Sequence, residues 1–282
     1  MGDLNSVKTS WKVITTGLIV LAIIVGGIIG FKVEQQQAVL TESTEVAPVV
    51  KEPSKIVAPR NDKQHYQRQA THKNPLPKNE KIVYLTFDDG PSEYTAKLTE
   101  ILAQHNIQAT FFMQGVNLKN KKFTKAVKQA SQEGHYIGAH SMTHNYNSLY
   151  VQKNFVAEMN ETIQLIKSIT SKDHRLVRAP YGSAPGLQNK ELLNEVVSAK
   201  LKVWDWNIDS MDWARNATPE SILSTIKSET TQNTEVVLMH EKAVTVDTLP
   251  RIIQFFKSQG YSFEVYGTYD HFPMNFAHSK KI

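Results

Sequence analysis

The 282 residues carry 32 Lys and Arg against 27 Asp and Glu, a mild net charge of +5, with 40% hydrophobic residues and no cysteine. The missing cysteines exclude disulfides, thiolate metal sites, cysteine nucleophiles and a cysteine-linked lipid anchor. The lysines are scattered and form no basic block interleaved with aromatics. Nucleic-acid binding is therefore not expected, and only weak attraction to an anionic polymer such as a bacterial wall remains.

The first element is apolar. Residues 13–31, VITTGLIVLAIIVGGIIGF, hold no charge and have the length needed to span a bilayer. Lys8 and Lys12 precede the stretch, and Glu34 offsets Lys32 behind it. The charge asymmetry leaves residues 1–12 cytoplasmic and sends the rest outside. No Ala-x-Ala site follows and the stretch is long for a signal peptide, so an uncleaved anchor is favoured over cleavage and secretion. Residues 32–79, rich in Gln, Glu, Lys, Pro and Thr, show no sustained period and read as an extracytoplasmic linker. The expectation is a single-pass protein of the cell membrane with its folded part outside.

From residue 80 to 270 the pattern changes. Strand-length apolar runs, IVYLTF (82–87), ATFFMQ (109–114), YIGAH (136–140), LVRAP (176–180), VWDWNI (203–208), VVLMH (236–240) and FEVY (263–266), alternate with amphipathic helical stretches. Seven such units predict an α/β fold with about seven parallel strands, closed or partly closed into a barrel. No Gly-x-Gly-x-x-Gly turn follows the first run, which speaks against a dinucleotide site. Residues 271–282 are left as a C-terminal tail.

In β/α barrels chemistry gathers at the C-terminal ends of the strands. The polar residues placed there are Asp88 and Asp89 after the first run, His140 and His144 at the third, Arg178 in the fourth, Asp209 after the fifth and His240 closing the sixth. HSMTH spaces two histidines at i and i+4, which on a helical turn would share one face and one ion. Asp89 completes a two-His, one-carboxylate set with positions open for water and substrate. That set suits hydrolytic zinc, and other divalent ions such as cobalt also fit it. Two adjacent carboxylates repel in a buried setting unless one is neutralised. Assigning Asp89 to the metal and Asp88 to proton abstraction resolves the pair.

TFDDG, HSMTH, RAPYG, DWNIDSMDW and LMH occur in that order. The chain thereby resembles the NodB-homology polysaccharide deacetylases, carbohydrate esterase family 4, over residues 80–268. The resemblance implies a distorted (β/α) barrel and metal-dependent removal of acetyl groups from N-acetylated sugars. It implies Asp88 as general base and Asp89, His140 and His144 as metal ligands. Arg178 would hold the catalytic aspartate, Tyr181 would lend its backbone N–H to the oxyanion, and Asp209 would orient His240, the general acid. Trp213 and Leu238 would wall the groove and the acetyl-methyl pocket, or equally belong to the core. Trp204 and Trp206 read as barrel core. The last motif ends Leu-Met-His-Glu where many relatives have aspartate, so Glu241 is a departure. With the anchor, these features point to a monomer acting on a cell-wall polysaccharide. Peptidoglycan N-acetylglucosamine comes first, N-acetylmuramic acid second, and a chitin-like or exopolysaccharide chain third. An O-acetyl esterase acting on xylan and a catalytically inactive wall-binding module are the rival readings.

Overall fold

The computed structural model describes residues 75–282. The expected membrane span at 13–31 and nearly all of the linker at 32–79 lie outside the described residues. Among the described residues no helix is long and apolar enough to cross a membrane.

The sheet is parallel throughout and centred on β1 (Ile82–Gly90). On one side follow β2 (Thr110–Met113), β3 (Tyr136–Ala139), β4 (Leu176–Val177) and β5 (Lys202–Val203). On the other lie β7 (Thr234–His240) and then β6 (Ile208–Asp209), while the short β8 (Ser262–Phe263) pairs with the start of β1. The seven-strand path begins at β5 and ends at β6, which do not pair with each other, so the barrel is open there. The run expected as one strand at 203–208 is thus two short strands on opposite edges. Trp204 leaves the sheet to bridge Met274, and Asn207 N–H rejoins it by donating to Val236 O. Helices cross between the strands: α1 (Thr95–Gln104), the single turn α2 (Gly115–Leu118), α3 (Thr124–Gln132), α4 (Phe155–Thr170), α5 (Lys190–Ser198), α6 (Pro219–Glu229) and α7 (Ala243–Ser258).

Strand alternation sorts the side chains into two sets. Val83, Leu85 and Phe87 of β1, Phe111 and Met113 of β2, Val177 of β4 and Val237 and Met239 of β7 pack outward against helix residues such as Leu98, Leu102, Ile163 and Ile252. Ile82, Tyr84, Phe112, Leu176, Trp204 and Val236 face inward and form a second, smaller core at the base of the barrel. Continuing each inward set by two residues reaches Thr86 and Asp88, Arg178, and Leu238 and His240. The same alternation that packs an aromatic floor therefore lifts polar groups toward the open end. The interior is tight: a Cβ on Gly138 would sit 2.7 Å from the Phe112 ring and 2.9 Å from Leu176 O. Only glycine fits at that point of β3.

The segment 271–282, set apart in the sequence as a tail, packs on the domain. Trp204 Nε1 donates to Phe272 O (3.0 Å), Asp205 N to Met274 O (2.7 Å), and Ile282 is fully buried. The β5 edge has no strand neighbour on its outer side, and this segment satisfies backbone groups just beyond it. Leu76 likewise packs against the inner core.

Candidate active site

The two adjacent aspartates diverge because the chain bends between them. The β1–β2 register shifts between Asp88 and Gly90, and Asp89 takes a left-handed backbone with φ 69°, a conformation that aspartate tolerates better than most residues. Asp88 thus stays on the inward face, 2% exposed, directly across from His240 in the β1–β7 ladder. Asp89 turns toward the third strand. Its Oδ1 lies 3.6 Å from His140 Nε2 and 3.8 Å from His144 Nε2, and accepts from Gln114 Nε2 at 2.6 Å.

His140 and His144 do meet, with ring centroids 5.0 Å apart, but not on a helical turn. His140 follows the end of β3, and the chain then loops, with Ser141 and His144 both left-handed (φ 60° and 54°). Each is fixed from behind. His140 Nδ1–H donates to Arg178 O (2.9 Å), which leaves the Nε2 lone pair facing Asp89. The His144 N–H donates to Ser141 Oγ (2.9 Å). One ligand atom from each of Asp89, His140 and His144 lies within 4.8 Å of the others. Ligands about 2.0–2.2 Å from a tetrahedral zinc stand about 3.3 Å apart, so distances of 3.6 and 3.8 Å to Asp89 Oδ1 fit a small divalent ion after slight contraction.

Arg178 is fully buried. Its Nη1 donates to Asp88 Oδ1 (3.0 Å) and Thr86 Oγ1 (2.6 Å), its Nε to Trp204 O (3.0 Å) and its Nη2 to Asp205 O (2.8 Å), while the guanidinium lies 4.3 Å from the Phe112 ring centroid. A buried guanidinium is tolerable only with its donors satisfied, and here the same bonds aim the Asp88 carboxylate.

The carboxylate on His240 is Asp212, not Asp209. Asp212 Oδ1 lies 2.7 Å from His240 Nδ1, and its Oδ2 accepts from His240 N (2.7 Å) and Thr245 Oγ1 (2.6 Å). Asp209 instead accepts from Met211 N (2.9 Å) and Trp213 Nε1 (3.1 Å). The chain reverses at Met211 (φ 57°), which carries the third acidic residue of DWNIDSMDW inward and leaves the second at the rim. Tyr181 has a left-handed backbone (φ 66°), is 58% exposed, and donates its hydroxyl to His144 O (2.8 Å). Leu238 is buried two residues before His240, opposite Asp209, and Trp213 is 49% exposed. Trp204 is buried core, as expected.

A profile of the polysaccharide deacetylases matches residues 76–204. A peptidoglycan-N-acetylglucosamine deacetylase of Bacillus cereus is 46% identical over 211 residues, which cover 73% of this chain and 76% of that protein. The chain belongs to the polysaccharide deacetylase family. The crystal structure of the polysaccharide deacetylase Bc1974 from Bacillus cereus superposes with a TM-score of 0.69 at 45% identity, covering 72% of this chain and all of that one. A mutant of BA3943, described as a family 4 pseudoenzyme, also superposes (TM-score 0.59, 26% identity, 70% of each chain). Within this family the fold does not by itself guarantee the chemistry, which depends on the site residues.

Their electrostatics are consistent with separate roles. Burial pushes the Asp89 carboxyl up, but the His140, His240 and His144 rings and the Gln114 amide outweigh it and hold Asp89 below the usual carboxylate range. Burial and the neighbouring His140 hold His144 below the ordinary histidine value, which favours the neutral form that can ligate. Burial also disfavours the charged form of His240. The hydrogen bond and charge of Asp212, helped by Asp88 and Asp89, overcome that and raise His240 above its ordinary value.

Three supporting carboxylates carry no spacing signal of their own. Asp205 accepts from Ser183 N (3.0 Å), Ser183 Oγ (2.5 Å) and Phe276 N (2.6 Å), tying the RAPYG loop to the C-terminal segment. Glu241 is buried, and its Oε2 accepts from Ser92 N (2.9 Å), Ser92 Oγ (2.6 Å) and Thr95 Oγ1 (2.6 Å). It thus binds the loop after Asp89 to the strand that ends in His240. Glu158 on α4 accepts from Met142 N (3.1 Å), Thr143 N (2.9 Å) and Ser148 Oγ (2.6 Å), so it sets the loop between the two histidines. Glu158→Gln places an amide N–H₂ against these donors. If the three residues hold a divalent ion, weakening of its affinity by about 10–100-fold is expected, read by competition titration with a chromophoric chelator. Unchanged affinity would confine Glu158 to a packing role.

Proposed function

We propose that this deacetylase hydrolyses the N-acetyl group of amino sugars in cell-wall glycan, most directly peptidoglycan N-acetylglucosamine, with one divalent ion, zinc in the first instance, held by Asp89, His140 and His144. The observation that carries the reading is the β1–β7 register, which seats Asp88 opposite His240 beside the two-His, one-carboxylate set. The substrate reading draws on the B. cereus relative, whose name specifies that sugar.

When bound, a divalent ion supplies Lewis acidity, which acidifies water and polarises the acetyl carbonyl. Asp88, oriented by Arg178, takes a proton from the attacking water. The Tyr181 N–H, turned by its left-handed backbone, donates to the oxyanion that the acetyl oxygen becomes. His240, held on its Nδ1 side by Asp212, protonates the departing amine from Nε2. Without that proton the leaving group would be an amide anion, which is prohibitively basic. Acetate and a glucosamine unit result. Trp213, fixed by Asp209, and Leu238 line the acetyl side of the groove. The apolar span at 13–31 would anchor the chain in the cell membrane, with the linker at 32–79 holding the domain toward the wall and the domain acting as a monomer.

Metal removal tests the reading. Dialysis against a chelator should abolish acetate release from N-acetylglucosamine oligomers, and one equivalent of zinc or cobalt should restore it, with one ion per chain by elemental analysis. Full activity in protein shown to be metal-free would overturn the assignment.

A further inference from the structure

We infer that the surface just beyond His144 is a subsite for a neighbouring sugar ring of the glycan, with Tyr146 as its stacking platform. The inference rests on the deacetylase reading of the adjoining site.

Three observations converge there. First, a series of aromatic rings in edge-on and tilted contact begins at His144 and returns to the core at Tyr150, with Tyr181 and Tyr146 at the surface between them. His144 packs on Tyr181 at 4.6 Å between centroids, Tyr181 on Tyr146 at 5.7 Å, and Tyr146 on Tyr150 at 5.0 Å. Tyr146 is 44% exposed although its neighbours hold it in place. Second, an open cleft of about 520 Å³ lies along the same segment, lined by Thr143, Asn145, Asn147, Ser148 and Gln152, the chain neighbours of Tyr146. Those are hydroxyl and amide side chains without formal charge. Third, the segment is rigidly built. It winds as a π-helical turn over Asn147–Val151, a rare form that is frequent at functional sites. Glu158 fixes it from below through Thr143 and Ser148, Asn145 Oδ1 accepts from Ser148 N (2.9 Å), and Tyr150 donates its hydroxyl to Pro180 O (2.7 Å) in the RAPYG loop.

Isolated exposed hydrophobic residues need no explanation. An exposed tyrosine braced by two other rings, next to uncharged hydrogen-bonding groups and continuous with the candidate metal ligands, does. A pyranose has an apolar C–H face and a rim of hydroxyls. The face suits an aromatic ring, and the rim suits amides and hydroxyls. An acetyl group alone needs none of this surface, whereas a polymer must lay its next sugar somewhere beside the acetylated one.

The test compares wild type, Tyr146→Ala and Tyr146→Phe on 4-nitrophenyl acetate and on N-acetylglucosamine oligomers from disaccharide to pentasaccharide. The loss of kcat/KM caused by Tyr146→Ala should be about 3- to 10-fold larger on the pentasaccharide than on the ester. It should lie mainly in KM, and Tyr146→Phe should restore it. A loss of equal size on every substrate overturns the subsite, as does no loss on the pentasaccharide. With peptide-bearing wall fragments assayed as a further substrate, a loss confined to them would assign the surface to the peptide instead and overturn the sugar reading. If the wild type releases no acetate from any oligomer, the deacetylase reading fails separately. Calorimetric titration of the pentasaccharide into Asp88→Asn with and without Tyr146→Ala then decides the subsite, and equal affinities would remove it.

Discussion

Replacing Asp88 by Asn is expected to leave the protein folded and able to bind metal while lowering turnover by about 10²–10⁴-fold, the usual range for a general base. Asn has nearly the same shape, and its Oδ1 can still accept from Arg178 Nη1, which now reaches Asp88 Oδ1 at 3.0 Å. The remaining acceptors on that guanidinium, Thr86 Oγ1, Trp204 O and Asp205 O, are untouched. Removing the carboxylate of a buried ion pair can cost about 3–5 kcal/mol when nothing else compensates the charge. The retained bonds and the nearby Asp89 should keep the loss below that, visible as a lower Tm but not as unfolding at assay temperature. The ligand set is expected to survive because the three residues whose ligand atoms converge are Asp89, His140 and His144, and Asp88, although its Oδ2 lies 3.7 Å from His140 Nε2, is not among them. Steady-state kinetics and elemental analysis on the same sample read both quantities. Joint loss of metal and activity would move Asp88 into the ligand set.

The second large effect separates two aspartates that lie three residues apart. Asp212→Asn should cost about 10²-fold or more in kcat on N-acetylated oligomers, because His240 loses the group that fixes its tautomer and favours its charged form. The sign of the pH effect follows. Asp212 raises the pKa of His240, so the acid form persists to higher pH in the wild type. Without that carboxylate the pKa falls, and the alkaline limb of kcat/KM should shift to lower pH. Asp209→Asn should leave the limb in place, because Asp209 contacts Trp213 and Met211 and not His240. His240→Ala should cost more on amides than on activated esters, whose leaving groups need no proton. A limb that moves in Asp209→Asn and stays fixed in Asp212→Asn would reverse the assignment. Equal losses of His240→Ala on amide and ester would remove it as general acid.

The contrast between these two aspartates shows where the sequence stops being readable. The parallel sheet was legible because the apolar runs are long and regular, and the alternation of β1 alone places Asp88 inside. The five motifs were legible because each ends a strand or begins the loop after it. DWNIDSMDW offers three aspartates, Asp205, Asp209 and Asp212, and composition cannot say which meets His240. That is decided by the reversal at Met211, a left-handed backbone at a residue type that gives no warning of it. The same holds for HSMTH, whose spacing suits a helical turn. The observed loop brings the histidines together through two positive φ angles, at Ser141 and His144. Glu158 sits on an amphipathic helix and reads as one more solvated acid until the fold turns it toward the loop. Glu241 is the departure from the commoner aspartate of the last motif. Its longer side chain reaches Ser92 and Thr95, and a Cβ on Gly90 would lie 1.9 Å from its Oε1. The glycine of TFDDG therefore makes room for the glutamate of the last motif, a pairing that no local pattern reveals.

The proposed reaction removes an acetyl group from a sugar nitrogen of wall glycan. Mass spectrometry of purified peptidoglycan fragments, treated with zinc-loaded protein and in parallel with the Asp88→Asn variant, measures that directly. The prediction is acetyl loss localised by fragmentation to N-acetylglucosamine, dependent on both metal and Asp88. Fragments that keep every N-acetyl group after treatment with active, metal-loaded protein would contradict it, as would acetyl loss from ester-linked positions alone.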